Sequence, residues 1–294
     1  MKGVAIASKG MEDIAALEIG ELIGANCRIE ECAVVFEFKK IEDLCMLCYK
    51  LQSVDRILYL IEHFEFKNFF EELEKFVEKA ELEEWVAKFK KFKVECVRIG
   101  NHNFKSVDAE AKASEILSKQ RGKKKDSRNP DIIFFIYIVN SKCYFGVDFA
   151  GFELNKRAYK IFLHSGSLRG TIAYALLREA GFEKKDSLLD PFSRDGVIAI
   201  EAALYASGFP VNYYKKEKFA FLKFSFIDSE KFFANADKKI VKPKAKIYSF
   251  DHLFKYVDYS RKNAKIAGID KQIKFSRAEL EWLDIKFRKE AVGR

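Results

Sequence analysis

Two acidic residues, one glycine and the turn between them carry the sharpest chemical signal in the chain. Residues 187–208 read SLLDPFSRDGVIAIEAALYASG. A short apolar run ends at Asp190, a turn over 191–196 holds a single glycine, Gly196, and a helix-forming run starts at Val197. A strand–turn–helix of this kind puts the turn at the carboxyl edge of a parallel sheet, where ligands bind. The turn is neither GxGxxG nor GxxxxGK[ST], so a nucleotide phosphate site is not expected. About sixty residues later a second apolar run, KIYSF, ends at Asp251. A carboxylate there can accept hydrogen bonds from ribose hydroxyls. Two acidic strand ends and a glycine turn suit an adenosine cofactor held without phosphates, with S-adenosylmethionine as the first candidate. The bland alternative makes Asp190 a helix cap and Asp251 a surface carboxylate.

Three other patterns could carry chemistry. QRGKKKDSRNP, residues 120–130, holds Arg121, Lys123, Lys124, Lys125 and Arg128 with almost nothing apolar. It reads as a basic surface loop able to meet phosphates without disturbing a core, or as an ordinary solvated loop. NYYKKEKFAFLKF, residues 212–224, interleaves Tyr213, Tyr214, Phe219, Phe221 and Phe224 with Lys215, Lys216, Lys218 and Lys223. Such a stripe can stack bases and neutralise phosphates, or it can pack its rings while the lysines snorkel outward. Cys45 and Cys48 form a CxxC, with no second CxxC and no paired histidines to complete a zinc site. On the helical pattern of IEDLCMLCYKL they share a face with Ile41, Leu44 and Leu51, so they read as small buried hydrophobes.

The elements that must position these residues divide the chain. The 294 residues carry a net charge of +9, split as −5 over residues 1–100, +6 over 101–170 and +8 over 171–294. A basic remainder after an acidic start is a footprint for a polyanion, most often nucleic acid. No apolar run approaches a membrane span and the N-terminus lacks a signal-peptide pattern, so a cytoplasmic location is expected. Strands are expected at 4–7, 33–38 and 54–62, with helices at 11–24 and 41–51, an α+β unit of ferredoxin-like type. A helix over 68–90, a strand at 92–99, a helix at 106–119 and strands at 131–139 and 142–149 follow. The second half alternates helices at 168–180, 197–206 and 253–267 with strands at 187–190, 246–250 and 272–276, which implies a doubly wound parallel sheet.

Four segments in register resemble one family. DPFSRDGVIAIEAAL, residues 190–204, is similar to the DPxCGSGTxxIEAA of THUMP-domain RNA methyltransferases. HSGSLRGTIAYALLREAGF, residues 164–182, resembles the segment that precedes it. GVDFAGFELNKRAYKIF, residues 146–162, resembles the end of a THUMP domain, with Lys156, Arg157 and Tyr159 on its most specific positions. SKGMEDIAALEIGELIG, residues 8–24, resembles the opening of the ferredoxin-like domain. The resemblance implies a ferredoxin-like domain over 1–63, a THUMP RNA-binding domain over 64–163 and a Rossmann-like methyltransferase domain over 164–294. It implies S-adenosylmethionine as cofactor, structured RNA and commonly tRNA as partner, and guanine N2 as the usual acceptor. Carried over, Asp190, Phe192, Ser193 and Gly196 would line the methionine side of the cofactor and Asp251 would hold the ribose. Glu279 would lie near the adenine, with His164 and Thr171 flanking. Lys123, Lys124, Lys125, Arg128, Lys156 and Arg157 would contact phosphates.

The sequence departs from that pattern twice. Where the family has C-G-S-G-T, it has Ser193-Arg194-Asp195-Gly196-Val197, and Arg194 brings a side chain to a place where glycine allows close approach. The family's (N/D)-P-P-(Y/F), which positions the target base, is absent: Pro130, Pro191, Pro210 and Pro243 are not adjacent. The last domain is therefore expected to be incomplete, a fragment or a shortened enzyme, with self-association or a partner supplying strands. A non-catalytic RNA-binding protein on a degenerate methyltransferase fold is the rival reading. A THUMP-bearing thiouridylase would need an S-G-G-x-D-S loop, which the sequence lacks.

Overall fold

In the computed structural model, residues 1–79, 85 and 89–282 are described. They form two compact units, each with its own sheet. The first comprises Met1–Cys48, Asp55–Glu153 and Glu217–Ser229. It opens with β1 (Lys2–Ala7), α1 (Glu12–Ile23), β2 (Cys27–Glu30), β3 (Ala33–Glu37), α2 (Ile41–Lys50) and β4 (Val54–Glu65). β2 is a strand that the sequence pattern misses. Its four residues, CRIE, are short, polar and largely exposed, as suits an edge. With it the order becomes β-α-β-β-α-β, the ferredoxin-like arrangement. Glu12 is buried and holds the β2–β3 turn, accepting from the Cys32 N–H and the Gly10 N–H at 2.7 Å each.

α3 (Phe69–Lys79), β5 (Lys91–Ile99), α4 (Ser106–Arg121), β6 (Lys124–Lys125), β7 (Ile132–Val139) and β8 (Lys142–Asp148) complete the unit. The expected helix over 68–90 is described over Phe69–Lys79, and most of its remainder lies outside the described residues. All eight strands join one sheet in the order β2-β3-β1-β4-β8-β7-β5-β6. The boundary expected at residues 63 and 64 falls inside β4, which continues to Glu65 and pairs with β8 from Leu58↔Asp148 to Glu65↔Lys142. One long strand thus crosses the expected boundary, and a single sheet runs on either side of it. Its apolar face packs Val4, Ile6, Val35, Leu58, Phe135 and Tyr144.

The phenylalanine part of the aromatic, lysine-rich segment is packing material, while Tyr214 is exposed. Phe219, Phe221 and Phe224 are buried. Ala220 N–H and Phe221 N–H donate to the carbonyls of Ala150 and Phe149. Lys223 reaches Pro130 O at 2.5 Å. These three rings cannot stack on a base. Cys45 and Cys48 are also buried, and desolvation pushes both thiols up, away from the thiolate that metal or redox chemistry needs.

The second unit takes Tyr49–Val54, Leu154–Lys216 and the chain from Glu230 on. It contains α5 (Gly170–Glu179), β9 (Leu188–Asp190), α6 (Val197–Ser207), α7 (Ser229–Asp237), β10 (Ile247–Asp251), α8 (Phe254–Ala267) and β11 (Ile273–Arg277). β9, β10 and β11 are parallel and lie side by side in chain order. The register sets Ser249 opposite Asp190 and Arg277 opposite Asp251, so both acidic residues stand at the same edge. α6, VIAIEAALYAS, is apolar nearly all round and runs through the core. α7 lies where no period was legible, and buries Phe232 and Ala236.

Candidate functional site

The turn between β9 and α6 is held from three sides. Ser193 N–H donates to Phe250 O at 2.8 Å, which ties the turn to β10. Arg194 N–H donates to Asp251 Oδ2 at 3.0 Å, and Leu253 N–H donates to Asp251 Oδ1 at 2.9 Å. Asp251 is 1% exposed. It is therefore not a surface carboxylate: it fixes the turn, and its Oδ1 also lies 3.4 Å from His252 Nδ1. Gly196 sits at φ +81, and a Cβ there would overlap Ser260 Oγ. Only glycine satisfies both demands.

The third side is α8, whose contribution the motif did not announce. Asn263 is fully buried and donates to Asp195 O and Phe162 O at 2.9 Å each, while accepting from Phe162 N–H at 3.0 Å. Ser260 bonds Ser249 across the interior at 2.8 Å. The signal was available: Val257, Ser260, Ala264 and Ala267 share a helical face, and a polar residue on a buried face needs a partner.

Asp190, Phe192, Ser193, Arg194, Asp195, Val197 and Ile198, with Gly166 and Leu168, line a pocket of about 160 Å³. Its walls are unusual in what they leave unmade. Ser193 Oγ and Asp195 Oδ2 are buried with no hydrogen-bond partner among the described residues, and so, outside the lining, is Thr171 Oγ1 in the first turn of α5. Asp190 accepts from Phe192 N–H at 3.3 Å. Burial, reinforced by Asp251 and Asp195, pushes its carboxyl up to about 6. Buried polar atoms in folded proteins are almost always paired, so this cluster fits a ligand that brings donors. His164 joins through Arg194, whose Nη1 lies 2.5 Å from His164 Nε2. Phe192 is 53% exposed. Glu279 is exposed beyond β11, 3.5 Å from Arg277, and is not among the pocket's lining residues.

Arg157 is a correction. It was expected on phosphates, yet its side chain is 0% exposed and pairs with Glu201 of α6. Nε and Nη2 reach the two carboxylate oxygens at 2.7 and 3.1 Å, a bidentate pair. The remaining donors go to Leu154 O and Gln52 O, while Tyr159 Oη and Gln52 Nε2 also donate to Glu201, at 2.6 Å each. Gly170 completes the enclosure, since a Cβ there would come within 2.6 Å of Arg157 Nε. The Arg–x–Tyr of the motif is thus a lock on the one charge inside α6, and it cannot reach RNA. Lys156, the neighbouring residue, is exposed.

The basic segment 120–130 is not simply a loop either. Lys124 and Lys125 form β6 and pair in parallel with Lys91 and Phe92 of β5. Main-chain pairing holds the strand at the sheet's edge while both lysine side chains stay exposed. Asp126 anchors the following turn, accepting from the N–H groups of Arg128 and Asn129 and pairing with Lys91 at 2.9 Å. These bonds hold its carboxyl down at about 2. Arg128 is exposed and Lys123 half-buried, so the edge presents cations from a fixed backbone.

Comparison with known proteins follows the same division. A THUMP domain model matches residues 67–148, and an RMKL-like methyltransferase domain model matches residues 157–293. The tRNA (guanine(6)-N2)-methyltransferase of Methanocaldococcus jannaschii is 29% identical over 97% of this chain and 77% of its own length. The ribosomal RNA large subunit methyltransferase K/L of Aliivibrio fischeri is 25% identical over 93% of this chain and 40% of its own. In fold, SMU.472, solved as a complex with SAH, superposes with a TM-score of 0.78 at 21% identity, over 95% of this chain and 76% of that one. TrmN from Thermus thermophilus gives 0.66 at 21%, over 97% and 75%. No helix among the described residues is long and apolar enough to cross a membrane.

Proposed function

We propose, from the premise that this chain is a THUMP-domain protein of the RMKL-like methyltransferase family, that it is an S-adenosylmethionine-dependent RNA methyltransferase acting on tRNA at guanine N2. One observation carries the reading: the pocket at the edge where β9 and β10 end in Asp190 and Asp251, with buried oxygens of Ser193 and Asp195 left unpartnered. When bound, S-adenosylmethionine supplies a methyl group on a sulfonium centre. The chain's own part is positional. Asp190, Phe192, Ser193 and Gly196 line the methionine side, Asp251 holds the ribose, His164 and Thr171 flank the cofactor, and Glu279 lies toward the adenine. Lys123, Lys124, Lys125, Arg128 and Lys156 take RNA phosphates. The acceptor base rests on the similarity to tRNA (guanine(6)-N2)-methyltransferases. The finer partner reading is self-association, or a partner's strand added to the parallel sheet, which light scattering tests. The chain has no N-P-P-Y, and no residue of it is assigned to the target amine.

Calorimetry with S-adenosylhomocysteine and methyl transfer from labelled S-adenosylmethionine to total tRNA test this together. Expected are binding in about the micromolar range and label in N2-methylguanosine. No nucleoside binding and no label would overturn it. Replacing Lys124 and Lys125 by alanine should flatten the salt dependence of tRNA affinity by about one to two in log–log slope. The second reading, an RNA-binding protein without transfer, is favoured by Arg194 in the turn, and predicts tRNA affinity with no label.

A further inference from the structure

The tip of the cofactor turn holds a side chain in a backbone conformation that suits glycine. Arg194 stands at φ 49, in the left-handed region that L residues enter at a cost and that marks ligand clamps. Its backbone N–H is taken by Asp251, so the residue is fixed in the turn. Its guanidinium, by contrast, meets no carboxylate or carbonyl oxygen among the described residues. Nη1 lies 2.5 Å from His164 Nε2, while His164 Nδ1 already faces the Gly166 N–H at 2.9 Å. A neutral imidazole has one lone-pair nitrogen and one N–H. In one tautomer Gly166 takes the Nδ1 lone pair and the ring turns an N–H toward Arg194; in the other Nε2 accepts from Nη1, so the ring engages at most one of the fork's N–H donors. Tyr256 offers only a ring face at 5.9 Å. No ion pair to a carboxylate holds the guanidinium among the described residues.

A planar fork of N–H donors therefore borders the pocket beside Ser193 and Asp195. Its best-matched acceptor is a carboxylate, which takes two parallel bonds. We propose that Arg194 is a specificity residue whose guanidinium pairs with the carboxylate of the cofactor's methionine portion. The proposal rests on the cofactor reading above. An RNA phosphate is the other anion in the reaction. The tie of Arg194 to the β10 carboxylate and its place in the pocket wall favour the cofactor.

The test is calorimetry on the whole chain with two nucleosides, S-adenosylhomocysteine and 5′-methylthioadenosine, which lacks the amino-acid carboxylate. Two variants remove the charge: Arg194→Gly, which relaxes the positive φ, and Arg194→Gln, which keeps a polar side chain. Both should weaken S-adenosylhomocysteine by at least about tenfold, ~1.4 kcal/mol, and leave methylthioadenosine within about twofold. Unchanged S-adenosylhomocysteine affinity, or equal losses for both nucleosides, overturns the proposal. So does a loss confined to tRNA affinity, which would assign the guanidinium to phosphate. If the unsubstituted chain binds neither nucleoside, the cofactor reading itself has failed and this inference falls with it.

Discussion

The Arg157–Glu201 pair and the Asp190–Asp195 turn are both polar groups taken out of water within one α/β unit. Around Glu201 the hydrogen-bonding capacity is used: the guanidinium, a tyrosine hydroxyl and an amide converge on one carboxylate, and the leftover donors find carbonyls. Around the turn it is not, since Ser193 Oγ, Asp195 Oδ2 and Thr171 Oγ1 are buried and unpartnered. Asp190 is buried with no cation paired to it among the described residues. A satisfied buried network is scaffold, because every partner stays in place whether or not a ligand is present. An unsatisfied one stores a desolvation cost that a ligand can relieve. The contrast separates structure from function without reference to any relative.

Three substitutions would break or sharpen that contrast. The largest effect is expected at the satisfied cluster. Glu201→Ala strands the Arg157 guanidinium in the core and should cost about 3–5 kcal/mol in urea denaturation. A loss under about 1 kcal/mol would mean the pair is not the lock it looks like. Asp190→Asn should act in the opposite direction and depend on pH. Because burial raises the folded-state value to about 6, the folded chain holds a proton between roughly pH 4 and 6 that the unfolded chain has lost. The group's contribution to stability therefore falls as pH rises through that window. The asparagine variant should match the parent near pH 4 and exceed it by roughly 2–3 kcal/mol at pH 7. A difference that stays flat between the two pH values would remove the buried-carboxylate argument. The smallest effect is expected for Ser193→Ala. Deleting an oxygen that bonds nothing should move stability by less than about 0.5 kcal/mol, while S-adenosylhomocysteine binds several-fold more weakly. A clear stability loss would show that Ser193 has a structural partner after all.

Much of this molecule was legible before any coordinates. Strands β1, β3–β5 and β7–β11 and most helices were readable from period and breakers, because most of them carry an apolar face. β2 and β6 were not, since a short edge strand is polar and takes its identity from the neighbour it pairs with. That β4 runs on through the boundary expected at 63 and 64 was not legible for a related reason. A strand's two edges look alike in sequence, and only pairing shows that one joins β1 and the other β8.

The site divides the same way. Residue type and spacing along the chain were enough to place Asp190, Gly196 and Asp251 on one turn and two neighbouring strand ends, because a parallel βαβ unit brings such positions to one edge. Whether a charge faces water or the core was beyond them. Lys156 and Arg157 are adjacent and equally basic, yet one is exposed and the other fully enclosed. The enclosure depends on Glu201, Gln52 and Gly170, residues distant in the chain, and burial of a charge is decided by the partners that folding assembles around it.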